Sequence, residues 1–260
     1  TDQTQVALQP YAGYIRYFRQ DNSGVSAARN HGIGESSGEL IAFLDSDDRW
    51  HKDKLKHQVE LFETHPNAAV CYTDEIWIRR GRLVNAKSKH AKYSGCIFEN
   101  VLPLCIISPS SVMLRRSVFL DVGLFDESLP ACEDYDMWMR VALRYPVHFI
   151  PIPLIVKQGG HHDQLSSSYW GLDRFRVRAL EKLLANNPLD THQRVLVLKQ
   201  LVRRCTIISE GCLKRGKTDE WHHYRSASEK YRRELSETLQ NAGYPSVEKA
   251  ASLTGWGRVS

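Results

Sequence analysis

Three carboxylates within four residues form the strongest chemical feature of this sequence. Asp45, Asp47 and Asp48 directly follow the apolar run at residues 40–44. Carboxylates this close repel one another unless a positive charge lies among them, and a divalent cation is the simplest such charge. Oxygen ligands suit Mn²⁺ or Mg²⁺, which keep coordination positions open for substrate phosphates. The alternative is an acidic turn that caps the next helix, since Asp is a favoured capping residue.

A loop that enters a helix precedes the acidic run, at residues 22–32. A helix N-terminus attracts anions, and Arg29, one turn into the helix, can reach a diphosphate. We count the neighbouring Asn30 with it as a candidate for substrate binding. The glycine spacing matches neither a P-loop nor a dinucleotide-binding fingerprint, so an ordinary loop with a surface arginine stays open as an alternative.

Two further acids open a later predicted helix, at Glu133 and Asp134. One of them can act as a general base, because a hydroxyl group is a poor nucleophile until its proton is accepted. The alternative is that these acids only complement the positive end of the helix dipole.

A histidine pair, His161 and His162, follows Gly159 and Gly160. Either imidazole can bind a metal ion or donate a hydrogen bond to a phosphate oxygen. The two glycines favour a mobile flap over a bound nucleotide. A surface histidine pair without a role is the alternative.

The composition limits the class of protein. Hydrophobic residues make up 42% and charged residues 25% of 260 residues, which is typical of a folded globular protein. The six cysteines form no CxxC pair, so we expect reduced thiols in the cytoplasm. The sequence has no apolar run of about 18 residues, so no membrane span is predicted.

The net charge of +5 does not indicate nucleic-acid binding, because the basic residues are not interleaved with aromatic residues. Part of the excess lies late in the chain, where it predicts either a solvated helical face or peripheral contact with anionic lipids at the inner face of the membrane. The residues concerned are Arg203, Arg204, Lys214, Arg215, Lys217, Arg232 and Arg233.

Alternating strands and helices must position the chemical groups. Hydrophobic periodicity predicts strands at residues 14–18, 40–44, 68–72, 76–78, 83–84, 111–114 and 147–156. It predicts helices at residues 26–35, 52–64, 116–122, 134–144, 171–185, 192–214 and 218–241. This order predicts βαβ units with binding loops at the carboxyl ends of the strands.

Particular residues refine these elements. Leu55, Val59 and Phe62 share one helical stripe and are expected to face the core. Gly81 is expected in a hairpin turn, and Gly216 in the turn between the last two helices. We place a domain boundary near residue 186.

Four segments taken in order resemble the inverting GT-A glycosyltransferases of family 2. They are NSGVSAARNHGI, LIAFLDSDDRW, FDESLPACEDYDMWMR and GGHHDQLSSSYWGLDRFRVRALEKLL, and the resemblance spans about residues 14–185. It implies an α/β fold with a mixed, mainly parallel sheet flanked by helices. Residues 1–186 would form the GT-A domain and residues 187–260 a C-terminal helical appendage.

The resemblance also implies roles for the acidic residues. In the family the acidic motif holds the metal that bridges the nucleotide diphosphate, so Asp47 would be a direct ligand and Asp45 a metal or nucleoside contact. Asp48 would be a supporting acid. Asp134 would be the catalytic base, and Glu133 would orient the substrate.

Arg29 matches the arginine at the helix entry, and His161 matches a late histidine expected to contact the metal or the substrate. The implied donor is a nucleoside diphosphate sugar, with UDP as the expected nucleotide, and the implied acceptor is a glycan or a lipid-linked glycan. Members of the family normally begin with two strands that bind the nucleoside base. Thr1 and Asp2 resemble the stub of the acidic turn in which the second of these strands ends, so we expect a chain truncated at its N-terminus.

The implied activity is metal-assisted transfer of one sugar to a hydroxyl group with inversion, in the synthesis of a cell-surface glycan or polysaccharide. Two other functions stay open. A non-catalytic binding or assembly module would show no metal-dependent nucleotide binding. A metal-dependent phosphohydrolase would release inorganic phosphate without an acceptor, although the acidic loop lacks the Asp-x-Asp-x-Thr pattern.

Overall fold

The computed structural model describes residues 3–85, 90–160 and 169–243. Its strands are β1 (Leu40–Ala42), β2 (Arg49–Trp50), β3 (Val70–Arg79), β4 (Arg82–Val84), β5 (Val112–Arg115) and β6 (Val147–Gly159). Its helices are α1 (Thr4–Leu8), α2 (Gly24–Glu35), α3 (Lys54–Thr64), α4 (Phe98–Val101), α5 (Ser117–Val122), α6 (Glu133–Arg144), α7 (Asp173–Asn186), α8 (Thr191–Leu213) and α9 (Thr218–Asn241).

The strands form one mixed sheet in the order β1-β5-β3-β6-β2, with β4 paired to the far end of β3. Among the strand pairs of the described chain, β3 and β6 pair in parallel, and the others are antiparallel. The mixed α/β class was therefore predicted correctly, but a mainly parallel sheet was wrong. Strands β1 and β3 both run antiparallel to β5, so they share one direction, as the βαβ pattern predicts. The pattern cannot show that β5 inserts between them.

The alternating residues of β3 and β5 separate two hydrophobic clusters, as expected when successive side chains point to opposite faces of a sheet. Val70 and Tyr72 of β3 lie in the larger cluster with Trp138 of α6. Cys71, between them, lies in the smaller cluster with Phe62 of α3. Helix α6 thus covers one face of the sheet and α3 the other.

Residues 14–18 do not form the predicted strand. Tyr14, Ile15, Tyr17 and Phe18 are exposed, and the backbone of this segment is irregular. An alternating pattern makes a strand only when a neighbouring strand completes its hydrogen bonds, and no strand of the described chain pairs with this segment.

Strand β6 continues through Pro151 and Pro153. Its register against β3 shifts on either side of Asp74, which pairs with Pro153. Proline lacks the amide hydrogen that a ladder requires, so this irregularity lets the strand pass both prolines without a break in the sheet.

Helix α3 buries Phe62 as predicted, but not the other two residues of the predicted stripe. Leu55 and Val59 are exposed, whereas Lys54, Gln58 and Phe62 are buried. Hydrogen bonds to polar partners explain why Lys54 and Gln58 can be buried. Lys54 Nζ donates to Gln58 Oε1 at 2.6 Å, and Gln58 Nε2 donates to the carbonyl oxygen of Ser111 at 3.0 Å.

Lys54 is a buried cation that lies over an aromatic ring. Its Nζ is 4.3 Å from the ring centroid of Trp50, and the side chain is 0% exposed. Burial lowers the pKa of Lys54 from its ordinary value of 10.5 to about 8. The folded protein therefore holds this proton less tightly than the unfolded chain does.

This difference predicts a pH-dependent stability. Between about pH 8 and pH 10.5 the unfolded chain keeps a proton that folded Lys54 has lost, so rising pH favours the folded state. We expect the free energy of unfolding of the wild type, relative to Lys54→Met, to rise by up to about 3 kcal/mol between pH 7 and pH 10. Urea denaturation of both proteins at the two pH values measures this. A difference that stays constant with pH would contradict it.

Helices α8 and α9 form the predicted helical hairpin. The hydroxyl groups of Thr206 and Ser228 lie 2.9 Å apart, and Arg194 pairs with Glu234, so the helices run antiparallel. The chain turns at Gly216, whose φ of 66° belongs to the left-handed region that glycine adopts readily.

The hairpin also packs into the larger hydrophobic cluster, to which Leu198 and Leu201 of α8 belong. A domain boundary near residue 186 stays a prediction. Within the described part of the chain, no helix has both the length and the hydropathy that a bilayer-crossing segment needs.

One of the seven late basic residues is not on a solvated face. Arg204 is buried, and its Nη2 donates to the carbonyl oxygen of Pro103 at 2.8 Å. Its Nη1 pairs with Asp173, and its guanidinium lies 5.5 Å from the ring centroid of Tyr135. Arg204 therefore ties α8 to three other segments of the molecule.

Candidate active site

A cavity of about 760 Å³ opens where the acidic loop after β1 faces the first turn of α6. Residues that are far apart in the sequence meet there. Of the predicted site residues, those lining the cavity are Arg29, Asp45, Asp47, Asp48, Glu133 and Asp134. His161 lies outside the residues that the structure describes.

The acidic loop at residues 45–48 is held in place from several sides. The amide of Asp48 donates to the carbonyl oxygen of Asp45 at 3.0 Å, which closes a tight turn. The amide of Asp45 donates to Ser110 Oγ at 3.0 Å. The amide of Gln158 in β6 donates to Asp48 Oδ1 at 3.1 Å. These bonds fix the loop between β5 and β6.

Asp48 is buried at the base of the loop. Burial raises its pKa, and the nearby Ser110 hydroxyl and Lys157 oppose the rise. Its Oδ2 atom is buried with no well-formed hydrogen bond among the described residues. A carboxylate oxygen without a donor suits a hard cation.

The described residues do not, however, form a complete set of metal ligands. No three Asp, Glu, His or Cys side chains among them converge on one point in a way that could hold an ion. Asp45 and Asp47 line the cavity, and one oxygen of Asp45 already pairs with Arg29. The loop therefore fits a cation that takes its remaining ligands from a substrate or from water, as Mg²⁺ usually does.

Arg29 joins the two acidic segments. Its Nη2 lies 2.7 Å from Asp45 Oδ1 and its Nη1 lies 2.7 Å from Glu133 Oε1. Burial alone would lower the pKa of Arg29, but these two carboxylates outweigh it and the pKa is raised. Arg29 thus forms a bridge between the acidic loop and α6, and its contact with a diphosphate stays a prediction.

Glu133 and Asp134 begin α6, and both line the cavity. Burial raises the pKa of Glu133, the charge of Asp134 raises it further, and Arg29 opposes the rise. Asp134 Oδ1 accepts from the amide of Tyr135 at 2.7 Å, and Asp134 Oδ2 accepts from the thiol of Cys105 at 3.3 Å. Asp134 is therefore held by one neutral donor on each oxygen.

Cys132 precedes this helix with a φ of 63°, which is strained for a residue other than glycine. Strained backbone of this kind clusters at functional sites. Here it sets the direction in which α6 begins, immediately before the two acids of the cavity.

Asn30 does not line the cavity. Its Nδ2 donates to the carbonyl oxygen of Phe125 at 2.9 Å and to Glu127 at 2.9 Å. Its Oδ1 accepts from the amide of Phe125 at 3.0 Å. The structure thus uses this side chain to hold residues 125–127 against α2, and it does not bring Asn30 to the other predicted site residues.

Sequence reasoning missed two cations and two thiols of the cavity: Lys157, Arg176, Cys105 and Cys132. Burial lowers the pKa of Lys157, but Glu75, Asp134 and Asp48 outweigh it and the pKa is raised. The position of Lys157, two residues before the Gly-Gly pair, could have suggested a role. No pattern in the sequence marks the cysteines.

Comparison with known proteins adds an independent finding. The family model described as "Glycosyl transferase family 2" matches residues 1–123. An uncharacterized glycosyltransferase of Rickettsia conorii, RC0461, is 30% identical over 170 residues, which cover 62% of this chain and 27% of that protein. The putative teichuronic acid biosynthesis glycosyltransferase TuaG of Bacillus subtilis is 34% identical over 121 residues, which cover 45% of this chain and 47% of that protein. This chain thus spans less than half the length of either relative.

Among solved structures, S. aureus TarS 1-349 in complex with UDP-GlcNAc superposes with a TM-score of 0.67. The superposition covers 94% of this chain and 80% of that one, at 17% sequence identity. A likeness at this identity shows the fold, and it confirms the predicted GT-A class.

Proposed function

We propose that this chain is a glycosyltransferase of family 2, whose model matches residues 1–123, and that it transfers a sugar from a nucleoside diphosphate sugar to an acceptor hydroxyl with inversion. One observation carries the proposal. The acidic loop and the first turn of α6 line the same cavity, so the groups proposed to hold a diphosphate and to accept a proton border one space.

The proton acceptor in this proposal is Asp134. The acceptor hydroxyl gives its proton to Asp134 Oδ2 while its oxygen forms a bond to the anomeric carbon. The bond between that carbon and the diphosphate oxygen breaks on the opposite side, which inverts the configuration. The electron pair of the broken bond leaves with the nucleoside diphosphate.

The leaving diphosphate needs positive charge. Asp47 and Asp45 would hold Mn²⁺ or Mg²⁺ together with oxygens of the substrate or of water, Asp48 would be a supporting acid, and His161 would be a further ligand. When bound, such an ion supplies charge that stabilises the departing phosphate. Arg29 keeps Asp45 oriented through their ion pair.

Two cationic side chains of the protein itself add positive charge around the proposed site of the diphosphate. Lys157 lies between the two acidic walls, where its charge interacts with both Asp48 and Asp134. Arg176 lines the same cavity from α7 and is held by Asp173 at 2.9 Å. Fixed charges in a partly buried site interact more strongly than charges in water, so we assign both residues to binding of the diphosphate.

UDP is the proposed nucleotide, since the solved neighbour with the same fold, TarS, holds UDP-GlcNAc. The name of TuaG refers to teichuronic acid biosynthesis, which supports an acceptor among cell-surface glycans or polysaccharides. We further propose that the protein acts in the cytoplasm, at the inner face of the membrane. Exposed basic residues of the helical hairpin, including Arg203 and Lys214, would face anionic lipid there.

Calorimetric titration with UDP, GDP, TDP and CMP, each with and without Mn²⁺, tests the donor assignment. We expect UDP to bind in the presence of Mn²⁺, and we expect EDTA to abolish the heat of binding. If no nucleotide binds, the non-catalytic module becomes the better explanation. If inorganic phosphate is released from the sugar donor without an acceptor, a metal-dependent phosphohydrolase becomes the better explanation.

A further inference from the structure

We propose that Cys105 is a positioning residue for the catalytic base, and that its thiol holds Asp134 Oδ2 until the acceptor hydroxyl takes its place. The inference rests on the proposed function, because it needs Asp134 as the base. It concerns a residue that no sequence motif marks, in the segment between α4 and β5.

The geometry gives the thiol two acceptors and one proton. Cys105 Sγ lies 3.3 Å from Asp134 Oδ2 and 3.3 Å from the carbonyl oxygen of Ile107. A single S–H hydrogen can serve only one of them at a time. The thiol can therefore leave Asp134 and keep a hydrogen bond by turning to Ile107.

The other oxygen of Asp134 has no such freedom. Asp134 Oδ1 accepts from the amide of Tyr135, a backbone donor that is fixed by the start of α6. Oδ2 is thus the oxygen that an incoming hydroxyl group can reach once the thiol has turned away. The two donors orient the carboxylate before the acceptor arrives.

A thiol suits this task because it is a weak donor and stays protonated. Burial raises the pKa of Cys105 well above its ordinary value, and the charge of Asp134 raises it further. A protonated thiol neither competes with Asp134 for the proton nor adds a second negative charge. A weak hydrogen bond is also exchanged for one from the acceptor hydroxyl at less cost than a strong one would be.

Several charged or titratable groups face this pair from the surrounding elements, so the pH response belongs to the whole cluster. They are Glu133 and Cys132 near the start of α6, Lys157 of β6 and Arg176 of α7. A variant with a substitution in the Cys105–Asp134 pair must therefore be compared with a variant that has a substitution elsewhere in the cavity.

The first test needs no substrate. Iodoacetamide alkylation of Cys105 is followed by peptide mass spectrometry from pH 7 to pH 10, with the exposed Cys96 replaced by serine. Asp134→Asn removes the charge that disfavours the thiolate, so we expect alkylation of Cys105 to become at least about 3-fold faster. Asp47→Asn removes a carboxylate from the same cavity without touching the thiol, and it should leave the rate within about 2-fold. Equal rates in these two variants would overturn the pairing.

The second test asks whether the pairing matters for the reaction. UDP release from UDP-GlcNAc with Mn²⁺ is measured against pH for the wild type, Cys105→Ala and Cys105→Ser. Cys105→Ala removes a hydrogen bond to the carboxylate, so the acid limb of its activity should move up by about 0.5 to 1 pH unit. Cys105→Ser keeps a donor, so the acid limb of its pH profile should lie at the wild-type position or below it. A merely structural role would lower turnover at every pH without moving the limb.

The outcomes separate this inference from the proposed function. If Asp134→Asn keeps its turnover, Asp134 is not the base and both fail. If Asp134→Asn is inactive but Cys105→Ala shows the wild-type acid limb, the inference about Cys105 fails alone. If UDP-GlcNAc is not turned over by the wild type, the donor assignment fails, and the alkylation rates still decide whether the pair exists.

Discussion

Asp134→Asn is expected to lower turnover by roughly 10²- to 10⁴-fold while binding of the nucleotide sugar stays within a few-fold. The amide has nearly the shape of the carboxylate and can still accept a hydrogen bond from the amide of Tyr135. It cannot accept the proton of the attacking hydroxyl group. Turnover and calorimetric binding should be measured on the same preparation, so that a binding defect is not mistaken for a chemical one.

Asp219→Asn is the matched control, because Asp219 also lies in the first turn of a helix, α9. Both substitutions remove the same charge from the positive end of a helix dipole. Only Asp134 lines the cavity. If Asp134 merely complements the dipole, the two variants should behave alike. Retention of more than about a third of wild-type turnover by Asp134→Asn would refute the assignment, and Glu133 would become the leading candidate.

Asp47→Ala should weaken Mn²⁺-dependent binding of the nucleoside diphosphate by at least about 100-fold. Asp47 lines the cavity and is partly exposed, so its loss removes a candidate ligand without opening the hydrophobic core. We therefore expect the free energy of unfolding to stay within about 0.5 kcal/mol of the wild-type value. Calorimetry with and without Mn²⁺ and a urea titration measure the two quantities.

The control for this substitution is Asp53→Ala. Asp53 is an acidic residue just beyond the same loop, it does not line the cavity, and its side chain makes no capping hydrogen bond to α3. Its removal should leave nucleotide binding unchanged. Undiminished Mn²⁺-dependent binding by Asp47→Ala would show that the ion, if one binds, is held by other residues.

Local patterns were enough to predict the two walls of the cavity. An apolar run that ends in carboxylates predicted a strand with acids at its end, and the structure places Asp45, Asp47 and Asp48 there, after β1. Helical periodicity likewise predicted α6, with Glu133 and Asp134 in its first turn. In both cases the signal lies within about a dozen consecutive residues.

The remaining features depend on contacts between distant segments, which no local pattern contains. The insertion of β5 between β1 and β3 is set by pairing across the sheet. The burial of Lys54 depends on Trp50 and Gln58, which outweigh the apolar stripe through Leu55 on the same helix. The meeting of Cys105 with Asp134 joins positions 29 residues apart.

The contacts of Arg204 imply an order of events during synthesis of the chain. Arg204 reaches the carbonyl oxygens of Leu102 and Pro103 and the carboxylate of Asp173 only after residue 204 has left the ribosome. A nascent chain that ends before α8 therefore lacks this cation beside Tyr135, the residue that directly follows Asp134 in the first turn of α6. The contacts around the start of α6 are therefore completed late, after residue 204 of 260 has been made.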